Sequence, residues 1–238
     1  MRIAALSDFH IGARDHKDEF RHTQDGFLKF LDQLEATHDK IVLLGDIYQC
    51  DHAVIPNELG KRKEIDRARE RMPRLAERLS EPQYAYICGN HDTVARDHLG
   101  ALESLKIDNK GYGVYFIHGH QFDPVIGRVH KLAKAATWTV GRLRAARMRK
   151  VAHWIETRDV KIKHKRFGSH EGPYCRAGRA LLMADELDVV VMGHTHVAAC
   201  HELPEGVVAN TGTCSGGRRV FVTIDTDART VAVRKLRA

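Results

Sequence analysis

The chain has 238 residues, enough for one well-packed domain with room for a sizeable insertion. Its 43% hydrophobic and 29% charged residues are those of an ordinary folded globule and exclude wholesale disorder. The formal net charge of +7 is unevenly spread. Thirteen Lys and Arg between Arg128 and Arg166, against only Glu156 and Asp159, place +11 in that stretch and leave −4 for the rest.

In chain order, Ile3–Leu6 reads as a first short strand and is followed by Asp8-Phe9-His10. Phe27, Phe30, Leu31 and Leu34 then repeat at helical spacing. A second apolar run, Ile41–Leu44, leads into Gly45-Asp46. The stripe Ile65, Ala68, Met72, Leu75 and Leu79 predicts another helix, interrupted at Pro73. Tyr84–Ile87 precedes Gly89-Asn90-His91-Asp92, and Val114–Ile117 precedes His118-Gly119-His120. A basic insertion over 124–170 follows, in which Val125, Val129, Leu132 and Ala136, then Val140, Leu143, Val151, Trp154 and Ile155, show helical periodicity. Val189–Met192 leads into Gly193-His194-Thr195-His196, and Val207–Ala209 and Val220–Ile224 are the last predicted strands. Near-continuous apolar runs of this length suit strands buried on both faces, and their alternation with helices predicts an α/β fold in a single domain spanning residues 1–238.

Each of the five polar blocks follows a predicted strand. In α/β sheets, functional groups gather in the loops at the carboxyl ends of strands. Converging there, Asp8, His10, Asp46, Asn90, His118, His194 and His196 supply two Asp, one Asn and four His, with His91 to spare. That is enough to hold two metal ions around a phosphate. Taken singly, Asp-x-His and Gly-Asp are ordinary pairs, whereas two imidazoles flanking Thr195 can serve two different metals. His16, His22, His38, His52, His98 and His201 fit no such pattern and read as surface or packing residues; His120 lies beside the site. Asn210-Thr211-Gly212-Thr213 follows a strand and lines the site or simply turns the chain.

The five blocks, in order from Asp8 to His196, resemble the calcineurin-like metallophosphoesterases, whose pattern is D-x-H, G-D, G-N-H-[DE], a later His, and G-H-x-H. The resemblance implies two β-sheets packed as a sandwich, flanked by helices, with metals at the sheet edge. Carried over block by block, Asp8, His10 and His196 hold one metal, Asn90, His118 and His194 the other, and Asp46 bridges them. A carboxylate, amide and imidazole set without thiolate suits Mn²⁺, Fe or Zn²⁺, and the resemblance favours Mn²⁺. Two such cations roughly 3.5–4 Å apart lower the pKa of a bridging water, which attacks phosphorus, and clamp the phosphoryl oxygens. His91 is left uncoordinated to act on the leaving oxygen, with Asp92 expected to orient its ring.

Within the superfamily the length, the Ser7-Asp8-Phe9-His10-Ile11-Gly12 opening, Gly45-Asp46-Ile47-Tyr48 and the basic insertion are most similar to the UDP-2,3-diacylglucosamine hydrolases. That group has Arg where His91 stands, so the expected substrate is either a nucleotide-diphospho-lipid or a soluble nucleotide, nucleic acid or phosphoprotein. A scaffold that has lost catalysis is disfavoured by the complete ligand set. The basic amphipathic insertion is expected to lie on an anionic membrane surface or to close as a lid, with inert packing and nucleic-acid contact as lesser readings. No obligate protein partner is implied. Five cysteines without a C-x-x-C pair, no signal-peptide core after Met1-Arg2 and no bilayer-length apolar run give the expectation of a cytoplasmic protein, peripheral to a membrane at most.

Overall fold

A computed structural model describes residues 1–13, 18–123 and 169–236. The predicted insertion over 124–170 therefore lies almost wholly outside the described residues, as does His16. The described strands are β1 (Arg2–Leu6), β2 (Lys40–Leu44), β3 (Tyr84–Ile87), β4 (Ser104–Asn109), β5 (Tyr112–Ile117), β6 (Val189–Met192), β7 (Ala199–Leu203), β8 (Gly206–Asn210), β9 (Arg219–Asp225) and β10 (Thr230–Leu236). The helices are α1 (Gln24–Glu35), α2 (Glu58–Arg71), α3 (Pro73–Arg78), α4 (Ala95–Leu99) and α5 (Pro173–Ala184).

Two mixed five-stranded sheets form, in the orders β10-β9-β1-β2-β3 and β4-β5-β6-β8-β7. Each has three parallel strands together, β1-β2-β3 in one and β5-β6-β8 in the other, and antiparallel strands beside them. The period-two alternation of strand side chains divides the apolar residues between layers. Ile3, Ala5, Val42 and Leu44 pack with Val114, Phe116, Val189 and Val191 in the cluster between the sheets. Ala4, Leu6, Ile41 and Leu43 face α1 to α4 across Phe27, Phe30, Ile65 and Leu75. On the far side, Val190 and Met192 pack with Tyr174 and Leu182 of α5. The result is an α/β sandwich of two sheets flanked by helices, as the sequence predicted.

Local chemistry sets the helix ends. Thr23 caps α1 by accepting from the Gly26 amide, and Asn57 caps α2 by accepting from Gly60, at 3.1 and 2.8 Å. Pro73 has no amide hydrogen to continue α2, so the single apolar stripe through Leu79 becomes two helices. Among the described residues no helix is long and apolar enough to cross a membrane.

Candidate metal centre

The five polar blocks leave the carboxyl ends of β1, β2, β3, β5 and β6, five of the six strands in the two parallel trios, and the face-to-face sheets bring them to one edge. The β1 and β2 loops run side by side beyond their strands: the Asp8, His10 and Ile11 amides donate to the Gly45, Asp46 and Ile47 carbonyls at 2.9–3.0 Å. Phe9 is fully buried against Phe27 on the helix side, which anchors the first loop between Asp8 and His10. Asp8, His10, Asp46, His194 and His196 all have positive φ, between 52° and 65°. Non-glycine residues seldom adopt that region, and strain of this kind collects where side chains must be aimed at a common point.

The side chains of the five blocks converge on one region. Asp8, His10 and His196 form one group, Asp46, His118 and His194 a second, and His10, Asp46 and His91 a third; within each, the ligand atoms lie within 4.8 Å of one another. Asp46 belongs to the second and third groups, and His10 links the third to the first, so Asp46 lies between the two outer sets. His10 Nε2 and His196 Nε2 are 3.2 Å apart, and His196 Nε2 is 3.1 Å from Asp8 Oδ1. His118 Nε2 lies 3.3 Å from both Asp46 Oδ2 and Asn90 Oδ1.

The donor set fits a divalent cation pair. Asp8 Oδ1 is fully buried and faces the Nε2 atoms of His196 and His10 at 3.1 and 3.9 Å, an oxygen placed to share a cation with those imidazoles. His118 Nδ1–H donates to the Leu44 carbonyl at 2.8 Å, which leaves the Nε2 lone pair directed at the cluster. Gly89 and Gly45 make room: a Cβ on Gly89 would sit 2.5 Å from the Asp46 nitrogen, and Gly45 has φ +86° beneath the His118 ring.

The electrostatics are those of a dense buried cluster. Burial pushes the Asp8 carboxyl up, but His196 and His118 outweigh it and bring it to about 2. Burial acts likewise on Asp46, and His118 and His91 pull it well below the usual carboxylate range. Burial, with His91 beside it, drives His10 down to about 3. Burial also opposes charge on His118, yet Asp46 holds it up at about 9.

Asp92 stands elsewhere than the sequence reading put it. Its carboxylate accepts from the amides of Gly89, Ile47 and Tyr48 at 2.6, 2.6 and 3.2 Å and from the Tyr86 hydroxyl at 2.6 Å. It therefore ties the Asn90 loop to the Asp46 loop rather than orienting the His91 ring. The reason is local: residue 92 begins the turn into α4 and points back under its own loop. Burial and the nearby Asp46 charge raise its pKa.

Residues outside the five blocks support the site. Asp123 Oδ2 lies 3.0 Å from His194 Nε2, both buried. Thr213 Oγ1 donates to the Asp8 carbonyl at 2.8 Å, Ser7 and Thr211 hydroxyls meet at 2.6 Å, and Asn210 Nδ2 donates to the Gly193 carbonyl at 2.6 Å. The loop after β8 thus buttresses the site, and its place at a strand end was the available signal. His120 lies beside the cluster, its ring centroid 5.5 Å from that of His118. His22, His38 and His98 are engaged away from it, with Cys214 and Arg218 carbonyls, Thr223 and Asp66 respectively.

Two stacked mixed sheets with Asp, Asn and His converging at one edge define a metallophosphoesterase. Residues 1–198 match the calcineurin-like phosphoesterase family, and the chain belongs to it. The family is dinuclear and metal-dependent. Vps29 from Chaetomium thermophilum is similar in fold, with 13% identity over 99% of this chain and 97% of that one and a TM-score of 0.50. A novel archaeal phosphodiesterase has 15% identity, coverage of 99% and 100%, and a TM-score of 0.48. Yfce, a phosphoesterase from E. coli, has 17% identity, full coverage of both chains and a TM-score of 0.46. No curated protein sequence matches the chain.

Proposed function

We propose that the protein hydrolyses a phosphoester or phosphoanhydride with two divalent metals, Mn²⁺ first among them and Fe or Zn²⁺ as alternatives. The observation that carries this is the run of three ligand groups in which His10 links Asp8 and His196 to Asp46, and Asp46 links on to His118 and His194. Asp8, His10 and His196 would hold one ion, Asn90, His118 and His194 the other, with Asp46 between them. When bound, the ions supply an activated water and neutralise phosphoryl charge.

The chain's own residues do the rest. Ser7, Thr211 and Thr213 fix the Asp8 loop, and Asp92 fixes the Asp46 and Asn90 loops together, so the ligands are set before substrate arrives. His91 Nε2 faces Asp46 Oδ2 at 4.0 Å, and its side chain is 18% exposed, more open to solvent than the buried Asp46 beside it. It donates a proton from Nε2 to the departing oxygen, which leaves as an alcohol or a phosphate monoester. A scaffold without catalysis is the least supported reading, since every candidate ligand is present and converges.

For the substrate we favour a nucleotide-diphospho-lipid such as UDP-2,3-diacylglucosamine, on the likeness of the opening motifs and on the +11 stretch, which suits an anionic membrane surface. His91, where that lipid group has Arg, favours the second reading, a phosphodiesterase acting on soluble phosphoesters. A panel with Mn²⁺ supplied separates them. Cleavage of UDP-2,3-diacylglucosamine well above that of an aryl phosphodiester supports the lipid; activity on the aryl diester alone removes it.

A further inference from the structure

His118 and His194 fall in the same ligand group, and each imidazole can offer a cation only one of its two nitrogens. For His118 the Leu44 carbonyl makes the choice: it takes the Nδ1 proton at 2.8 Å and leaves Nε2 for the cluster. For His194 the backbone does not make it. The His194 amide donates to Asp8 Oδ2 at 3.1 Å, and Asn210 Nδ2 holds the Gly193 carbonyl at 2.6 Å, so the main chain is fixed. The ring beyond it can still sit two ways. A half-turn about the Cβ–Cγ bond exchanges Nδ1 with Cδ2 and Nε2 with Cε1 while hardly changing the shape.

Asp123 decides between the two. Its Oδ2 lies 3.0 Å from His194 Nε2, within hydrogen-bond range, and both side chains are only 5% exposed. Asp123 follows the short 3₁₀ turn His120–Phe122 beyond β5, so the strand end that supplies His118 also supplies this carboxylate. Among the described residues it joins none of the three ligand groups, which places it outside the candidate ligands. The His118 ring meets the His194 ring edge-on with centroids 5.3 Å apart, and the Tyr174 ring of α5 lies at 6.1 Å.

We propose that Asp123 is the positioning residue for His194. It accepts the Nε2 proton, holds the ring in one of its two orientations and leaves the Nδ1 lone pair for the second ion. A carboxylate on one nitrogen of a ligating imidazole also makes the other more basic, which strengthens its bond to a cation. His118 and His194 then present different nitrogens, Nε2 and Nδ1, to the same ion, each fixed by an acceptor on the opposite side of its ring. The inference rests on the proposed metal pair and assigns to Asp123 the affinity of one ion of the two.

The test uses the full chain and Zn²⁺, one of the ions the donor set suits and one that leaves NMR signals sharp. In zinc-loaded protein labelled with nitrogen-15 histidine, His194 should carry its proton on Nε2 and the metal on Nδ1. Its signals are assigned by their disappearance in His194→Gln, and the pattern should be lost in Asp123→Ala. Titration of Zn²⁺ against a competing chelator reads the two ions separately. Asp123→Ala should weaken one by about tenfold to a hundredfold and leave the other within about twofold. Asp123→Asn, which keeps an acceptor without the charge, should fall between Asp123→Ala and the native chain.

Zinc bound through His194 Nε2, equal weakening of both ions, or no weakening of either overturns the role of Asp123. A native chain that binds fewer than two ions overturns the metal pair instead. Asp123 is then read in the metal-free protein, where His194 should hold its proton on Nε2 and lose that preference in Asp123→Ala; an unaltered ring there overturns the assignment. Because Asp123→Ala takes an acceptor away from a buried ring, Asp123→Asn carries the same measurements should Asp123→Ala fail to fold.

Discussion

His118 and His10 are both fully enclosed imidazoles, yet their neighbours drive them in opposite directions. His118 sits against Asp46 and is held at about 9, whereas His10 has burial and other histidines against it and falls to about 3. In the metal-free protein, the stabilising contribution of His118 is full below its ordinary value of 6.5 and is lost as pH rises through 9. That of His10 is full above 6.5 and is lost as pH falls toward 3. Together they predict that the chelated protein melts highest near pH 6.5 and lower on either side. Added Mn²⁺ should restore the alkaline limb, because a ligating imidazole is neutral and metal affinity grows as His118 loses its proton. Thermal melts across pH, with chelator and with Mn²⁺, check this; a chelated protein whose melting temperature climbs steadily through pH 9 would contradict it. None of this charge balance was legible in the sequence, since it depends on which imidazole faces which carboxylate. The same holds for Asp123, which lies outside any strand-end block.

At the scale of elements, the loops were easier to read than the strands that carry no motif. Strands β1, β2 and β6 have uninterrupted apolar runs because both faces are covered. The unpredicted strands β4, β7 and β10 lie at sheet edges and mix Lys, Glu, Asp or Arg among half-exposed residues, which hides their period. Helix α5 escaped for a related reason: it buries only Tyr174, Cys175, Gly178 and Leu182, with Arg residues between. The Gly-initiated loops, by contrast, announce close packing. Gly89 is the sharpest case, since the β3 loop there lies directly on the Asp46 backbone. Gly89→Ala should force the two loops apart, cost roughly 1–3 kcal/mol of stability, and weaken metal binding by about tenfold or more. Metal content and melting temperature of the purified variant test it; a variant that retains full metal would show that the loops can shift without harm.

For the whole molecule, stacking two sheets that each contain a parallel trio gathers six strand ends along one edge, which is why residues from Asp8 to His196 meet in space. That outcome was visible in the order of the blocks. What binds beyond the phosphate was not, because the five blocks specify only the metal site and the +11 stretch that follows the fourth block carries no motif of its own. Replacing residues 124–170 with a short flexible linker should spare cleavage of a soluble aryl phosphodiester and abolish cleavage of the lipid-linked substrate, measured side by side. Equal loss on both would make the insertion part of the common machinery. The central claim is that two metals meeting at Asp46 perform the chemistry, and it is tested most directly by following phosphodiester hydrolysis in the purified protein with Mn²⁺, with chelator, and in Asp46→Ala. Turnover that requires Mn²⁺ and disappears in Asp46→Ala together with the bound metal is the predicted result; turnover that survives chelation, or an Asp46→Ala protein that hydrolyses at the wild-type rate, contradicts it.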